Sequence, residues 1–251
     1  VGILITAFLV PLFPMFATFV GKNDMESVKQ YFHKGLNTLW YVSFPILAFI
    51  ILFAQDGVRV LFQRGAFDAH DTLLVSEALV FLSLSIIPYM ARDTLTRIFY
   101  SFDDSKTPFY IALFSILVKA LMNLLFVQRF GIGGITLSTT VVTLVNAVLL
   151  GILLKSKIEL EYKKFISPTT KTLLATLIMS AFAFALNQVI TAIIPDNSLY
   201  IMIKLIVISV IALPVYIALG FAFKIEASHQ LVDKIMSKIK RQPASVPEEQ
   251  I

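Results

Sequence analysis

Apolar residues run along this chain in long blocks, with few of the polar interruptions that a half-buried soluble helix or strand would show. A helix of about 20 apolar residues spans a hydrocarbon core. Blocks of that length recur from one end to the other, and seven spans are predicted: 1–20, 37–54, 72–98, 108–127, 132–154, 168–194 and 199–223. Several contain proline. Pro11 and Pro14 break the first, Pro45 predicts a kink in the second, Pro88 in the third, and Pro214 lies in the seventh. Each proline removes one helical hydrogen bond, which a neighbouring helix can replace. Alternating ten-residue segments of the kind that build a membrane β-barrel are absent from the sequence.

The connections have their own pattern. Residues 21–36 place Met25, Val28, Tyr31 and Phe32 at helical spacing among charges, which predicts an amphipathic helix lying at the interface. Residues 55–71 are expected as a loop, 128–131 as a tight turn, and 155–167 as a second charged amphipathic stretch. Asp103 to Lys106 form a short turn, with Thr107 as N-cap and Pro108 as first residue of the next helix. The chain divides into a five-span part (1–154), two additional spans (155–223) and a cytoplasmic amphipathic tail (224–251) whose end has a disorder-like composition.

Composition agrees with the pattern. The chain is 57% hydrophobic and 15% charged, with a mean hydropathy of +0.83. A soluble domain needs more polar surface than that, so the expected fold class is an all-α polytopic membrane bundle. There is no cysteine, hence no disulfide or thiolate site, and three scattered histidines make no metal cluster. Of 21 Lys and Arg, sixteen fall on the side of the first connection and of the tail. Three (Arg59, Arg64, Arg129) fall opposite, and Lys119 and Lys204 lie inside apolar runs. That bias predicts a cytoplasmic C-terminus and accounts for the +5 net charge without nucleic acid. The start at Val1, inside an apolar run, suggests a fragment preceded by an odd number of further spans.

Candidate chemistry is sparse. Lys119 is the sharpest signal, because a charge at mid-membrane costs roughly 3 kcal/mol and so points to a bundle interior or a wet cavity. Asn123 shares its face. Counting about 1.5 Å per residue from the turn brings Thr139 on the next span to the same depth, so Lys119, Asn123 and Thr139 are expected to converge, with Ser138, Thr140 and Thr143 as further hydroxyls. The bland alternative is a snorkelling lysine and hydroxyls bonded to their own helices. Arg92, Asp93 and Arg97 close the inner end of the third span, Asp93 and Arg97 at ion-pair spacing. They are either interfacial anchors or contacts to a cavity. Gly65 is expected to allow a tight outer loop, and Asn146 and the Gly131–Gly134 cluster to serve helix packing. The motifs of hydrolases, zinc proteases and phosphate-binding loops are absent from the sequence, so a transporter is expected and not an enzyme.

The sequence from Leu61 to Asp68 (Leu-Phe-Gln-Arg-Gly-Ala-Phe-Asp), then Ala91-Arg92-Asp93, Arg97 to Asp104, Thr107-Pro108 and Gly134-Ile135 through Thr139, resembles the MurJ/MviN family. These are lipid II flippases of bacterial cell-wall synthesis within the multidrug/oligosaccharidyl-lipid/polysaccharide exporter superfamily. The resemblance implies helices eight to fourteen of a fourteen-helix, two-lobed transporter in the bacterial cytoplasmic membrane. It implies alternating access about a cationic cavity, with lipid II or a related polyprenyl-pyrophosphate glycan as substrate, membrane lipids and an N-terminal lobe as partners, and the tail of the substrate in a groove made partly by the last two helices. No cofactor is implied; the coupling ion is left open between sodium and proton. Related members often hold sodium at positions matching Lys119 and Asn123, with the Ile135 carbonyl and Thr139 opposite. A lysine departs from that pattern, as does Met15 where many members have arginine. Exporters of other glycans and a non-transporting scaffold are the rival readings.

Overall fold

The computed structural model describes residues 12–158, 161, 163–193 and 197–240. The described residues form eight helices: α1 (Leu12–Gly21), α2 (Met25–Phe62), α3 (Ala69–Ser83), α4 (Ile86–Ser101), α5 (Lys106–Leu154), α6 (Lys163–Ile193), α7 (Ser198–Ala222) and α8 (Glu226–Lys240). Five helical stretches are long and apolar enough to cross a membrane: Met25–Phe62, Ala69–Ser101, Lys106–Leu154, Lys164–Ile193 and Ser198–Ala222. The third is two spans. As one straight helix its 49 residues would extend about 74 Å, yet Lys119 touches Thr139, twenty residues on. The reversal is at Gly131, whose φ of 55° and ψ of −132° suit only glycine. Behind it, a Cβ on Gly134 would stand 2.3 Å from the Phe126 carbonyl oxygen, so the two arms close only over a hydrogen. Six crossings are thus described. The first predicted span is described only as α1, and its beginning, with Pro11, lies outside the described residues.

Several local expectations give way. The predicted interfacial helix at 21–36 is continuous with the second span in α2, whose 38 residues reach about 57 Å, well beyond a hydrocarbon core. Its apolar face does not lie on lipid. Val28, Phe32, Leu36 and Leu39 are buried with Phe16 of α1 and with Met90, Leu95, Ile98 and Phe99 of α4. At the other end α2 continues to Phe62, which shortens the expected loop to residues 63–68. Asp68 closes that loop with a capping box to Asp71, and Gly65 turns with φ 61°.

Proline acts at a distance from its own position. The third predicted span breaks at Leu84–Ser85 and not at Pro88, which sits in the first turn of α4, where its missing N–H is unused. α2 runs helically through Pro45 and departs from helical geometry at Phe53 (φ −124°). The carbonyl that Pro45 leaves free, that of Tyr41, accepts a 2.7 Å hydrogen bond from Tyr216 Oη of α7. Thr107 is not the N-cap of α5: the helix starts at Lys106, and Asp104 caps it by accepting from Thr107 N (3.0 Å) and Thr107 Oγ1 (2.9 Å).

α2 is the shared wall of the bundle. One face belongs to the core described above, which also contains Ile111, Leu150 and Leu154 of α5 together with Ile158 and Phe165. The other face, through Tyr41 and Phe53, packs with Ala175, Met179 and Ala183 of α6, Ile208, Ala212 and Tyr216 of α7, and Ile225 and Ala227 at the start of the tail. The charged stretch at 155–167 therefore contributes anchors to the interior. Lys224, with φ 52°, turns the chain so that α8 folds back on α2; the tail beyond Lys240 lies outside the described residues.

Candidate functional site

The seven sequence-predicted site residues fall in two places. The first is the seam of the α5 hairpin. Lys119 Nζ donates to Thr139 Oγ1 at 2.8 Å. One turn nearer the tip, Ser138 Oγ donates to Asn123 Oδ1. The Ile135 carbonyl lies between them, within reach of Ser138 Oγ (2.7 Å) and Thr139 Oγ1 (3.3 Å). The expected convergence is present, and the mechanism is the hairpin itself: Gly131 reverses the chain, near-equal counts on either arm bring Asn123 and Ser138 together, and the long Lys119 side chain, one turn further from the tip, reaches Thr139. The bland alternative holds for part of the set. Thr143 bonds the Thr139 carbonyl of its own helix at 2.7 Å, whereas Thr140 departs from it and reaches across to the Phe81 carbonyl of α3 at 2.7 Å.

Lys119 is half-buried and flanked by exposed aliphatic residues such as Leu117 and Leu121. Its ammonium bonds a neutral hydroxyl and forms no ion pair among the described residues. This seam does not fit a sodium ion. A sodium site needs free oxygens and no fixed cation. Here the ammonium takes Thr139 Oγ1, Ser138 takes Asn123 Oδ1, and the charge that an ion would supply is already tethered.

The second place is a groove of about 780 Å³ between α4 and the start of α5, lined by Arg92, Asp93, Thr96, Tyr100, Lys106 and Asn146 among others. Arg97 is not in its lining. It pairs with Asp93 at 3.0 Å, both side chains 23% exposed, and so neutralises the one acid there. Arg92 lies over the Tyr89 ring, 4.7 Å from its centroid. The groove therefore presents Arg92 and Lys106 with no ion pair among the described residues, and Lys106 opens a helix whose dipole adds to their charge. Such a surface can hold an anion and can exchange it, because both cations are on flexible stems.

The groove and the seam are joined through Asn146. The residue expected to serve packing accepts from Ser115 Oγ across the hairpin and also reaches the groove. Sequence reasoning missed a second buried cation with a partner. Lys204 of α7 is tied to Asp56 of α2 at 2.7 Å, with side-chain exposures of 9% and 27%. Its signal was the same as for Lys119, a lone lysine in an apolar run, but the partner lies in a segment expected to be loop. Lys106 was also missed as a lining residue.

The family-like motifs fold into structural roles. Phe99 is buried in the core. Asp104 caps α5 and pairs with Lys157 at 3.1 Å, which ties the connection after α5 to the one before it. The N–H of Thr107, its hydroxyl and then the Lys157 ammonium hold the Asp104 carboxyl below the usual carboxylate range. The loop at Gly65 is closed by the Asp68 cap and by the Phe62 and Phe67 rings, 6.1 Å apart.

Comparison with known proteins places the chain. The sequence profile described as "Lipid II flippase MurJ" matches residues 1–213. A probable lipid II flippase MurJ from Synechocystis sp. is 34% identical over 143 residues, 57% of this chain and 27% of that protein. One from Rickettsia prowazekii is 30% identical over 145 residues, 58% of this chain and 29% of that protein. The chain thus spans under a third of the length of these relatives along the matched segment. A solved structure titled lipid II flippase MurJ, inward closed conformation, superposes with a TM-score of 0.67 over 87% of this chain and 44% of that one. At 23% identity that likeness concerns the fold. With an all-α multi-pass architecture and a family profile covering most of its length, the chain belongs to the MurJ family.

Proposed function

We propose that this chain forms one lobe, with two further helices, of a transporter that carries lipid II or a closely related polyprenyl-pyrophosphate glycan across the bacterial cytoplasmic membrane by alternating access. The family supports the substrate class. The groove with Arg92 and Lys106 suits the pyrophosphate, and an apolar groove of about 710 Å³, lined by Tyr41, Pro45, Phe49, Met179, Leu213 and Tyr216 among others, suits an isoprenoid chain. The excess of Lys and Arg at the end holding the tail supports a cytoplasmic C-terminus.

The observation that carries the reading is Lys119: an ammonium within a predicted span that, among the described residues, is held by a hydroxyl and by no carboxylate. A cation in that setting gains most when an anion approaches, and its hold on Thr139 links the two arms of the hairpin to that event. With the seam closed to sodium, the drive comes from the membrane potential or from protons.

The test is translocation of lipid II by the full-length protein in proteoliposomes, with and without sodium. Wild type is expected to work equally in both, and Lys119→Met to lose at least about tenfold in rate, the equivalent of 1.4 kcal/mol. Normal transport by Lys119→Met sinks the assignment of Lys119. A second reading, a scaffold that transports nothing, is favoured by the same tethered ammonium; absence of translocation by wild type would select it.

A further inference from the structure

At the basic end of the bundle a pocket of about 200 Å³ opens between α2, the start of α6 and the turn into α8. Three cations from three elements line it: Lys34, Lys171 and Lys224. Among the described residues the only acid in its lining is Glu226, whose carboxylate stands 4.0 Å from Lys34 and also accepts from Gln230 Nε2 at 2.7 Å. Asn37 lies in the same lining, and its side-chain oxygen is buried with no hydrogen-bond partner. A buried acceptor without a partner is costly. An amide turned by 180° would present two N–H donors at the same place.

The level of the pocket matters. Lys34 lies one turn before the predicted second span, Lys171 in the first turn of the predicted sixth, and Lys224 directly after the predicted seventh, two residues past the end of α7. All three stand where apolar helix gives way to charge, the depth of lipid headgroups. Basic pockets between transmembrane helices at this depth bind phosphate-bearing headgroups, and ammonium groups serve phosphate as point charges.

We propose that this pocket is a phosphate site, in which Lys34, Lys171, Lys224 and the turned Asn37 amide hold the phosphate of an anionic lipid headgroup or of a free phosphate ester. Binding ties α2, α6 and α8 together through one ligand. Glu226 competes for Lys34 and is displaced on binding. The site is separate from the α5 seam and from the Arg92 groove, and nothing in it depends on what the protein transports.

Native mass spectrometry of the full-length protein in detergent tests this, with phosphatidylglycerol, phosphatidylcholine and glycerol phosphate offered separately. Wild type should retain phosphatidylglycerol over phosphatidylcholine. Lys171→Gln with Lys224→Gln should lower that retention by about tenfold or more, and Glu226→Gln should raise it. Lys29→Gln, which alters a lysine paired to Glu26 outside the pocket, should leave it unchanged. Retention of glycerol phosphate with the same variant order assigns the site to a free phosphate; retention of the lipid alone assigns it to the membrane. Equal losses in Lys29→Gln and the double variant would show a general surface-charge effect and overturn the proposal. So would a double variant that keeps wild-type retention while its thermal unfolding is unchanged.

Discussion

The pair between Lys204 and Asp56 allows a sharp quantitative test, because its two members are unequally buried. Lys204 keeps 9% of its side-chain surface and Asp56 27%. Replacing Asp56 by Asn leaves the deeper charge without a countercharge among the described residues, facing a neutral amide and the Thr191 hydroxyl at 3.5 Å. Breaking a buried pair in this way costs about 3 kcal/mol, the low end of what such removals cost, because Asp56 retains some access to water. Replacing Lys204 by Met leaves the shallower charge, which rehydrates, and adds apolar contact in the span; about 1 kcal/mol is expected. The double variant carries no orphan charge and should lie close to Lys204→Met alone. The coupling in the cycle is then about 2 to 3 kcal/mol. Unfolding of the purified protein by SDS in mixed micelles measures all four corners, and the result should change little with added salt because the pair is shielded. Equal costs for the two single variants, or additive costs in the double, would refute the argument that the unequal burial of the two charges sets the energetics.

Other consequences follow from single contacts. Gly134→Ala should destabilise the bundle by about 3 kcal/mol, since its Cβ would meet backbone at 2.3 Å, whereas Gly57→Ala, with open space around its Cβ, should stabilise by up to about 1 kcal/mol through helix propensity; the same SDS titration compares them. Tyr216→Phe should cost about 1 kcal/mol by orphaning the Tyr41 carbonyl, and should cost little in a Pro45→Ala background, where residue 45 regains the N–H that bonds it. Asp104 is held below the usual carboxylate range, so its contribution is present above about pH 3.9 and fades as pH falls through its lowered folded value. Asp104→Ala should lose about 1 kcal/mol at neutral pH and show a shallower loss of stability in acid, read from unfolding midpoints across pH.

Hydropathy along the chain was enough to settle the class, to place the six described crossings and to find the segments that collect positive charge. Those properties depend on the solvent each segment can tolerate, which is a local matter of composition and length. The meeting of Lys119 and Thr139 was also legible, because in a helical hairpin depth follows distance from the turn to within about one helical turn, which a lysine side chain can span. The same arithmetic failed for Lys204, whose partner Asp56 belongs to a different hairpin. Nothing in sequence spacing sets the rotation of α7 against α2. It failed at the prolines for reasons that spacing does not carry: Pro88 falls in the first turn of α4, where its missing N–H is unused, and at Pro45 a neighbour replaces the lost hydrogen bond. Tyr216 replaces it at Tyr41, so α2 stays helical through Pro45 and yields at Phe53. The amphipathic face of residues 21–36 read as a membrane-surface face because lipid interface and protein core are equally apolar to a pattern. Only the packing of Phe16, Ile98 and Leu154 against Val28, Phe32 and Leu36 distinguished them. The sequence alone determined which residues must leave water. The tertiary structure decided against what they would be placed, since that choice depends on helix rotation and register across elements far apart in the chain.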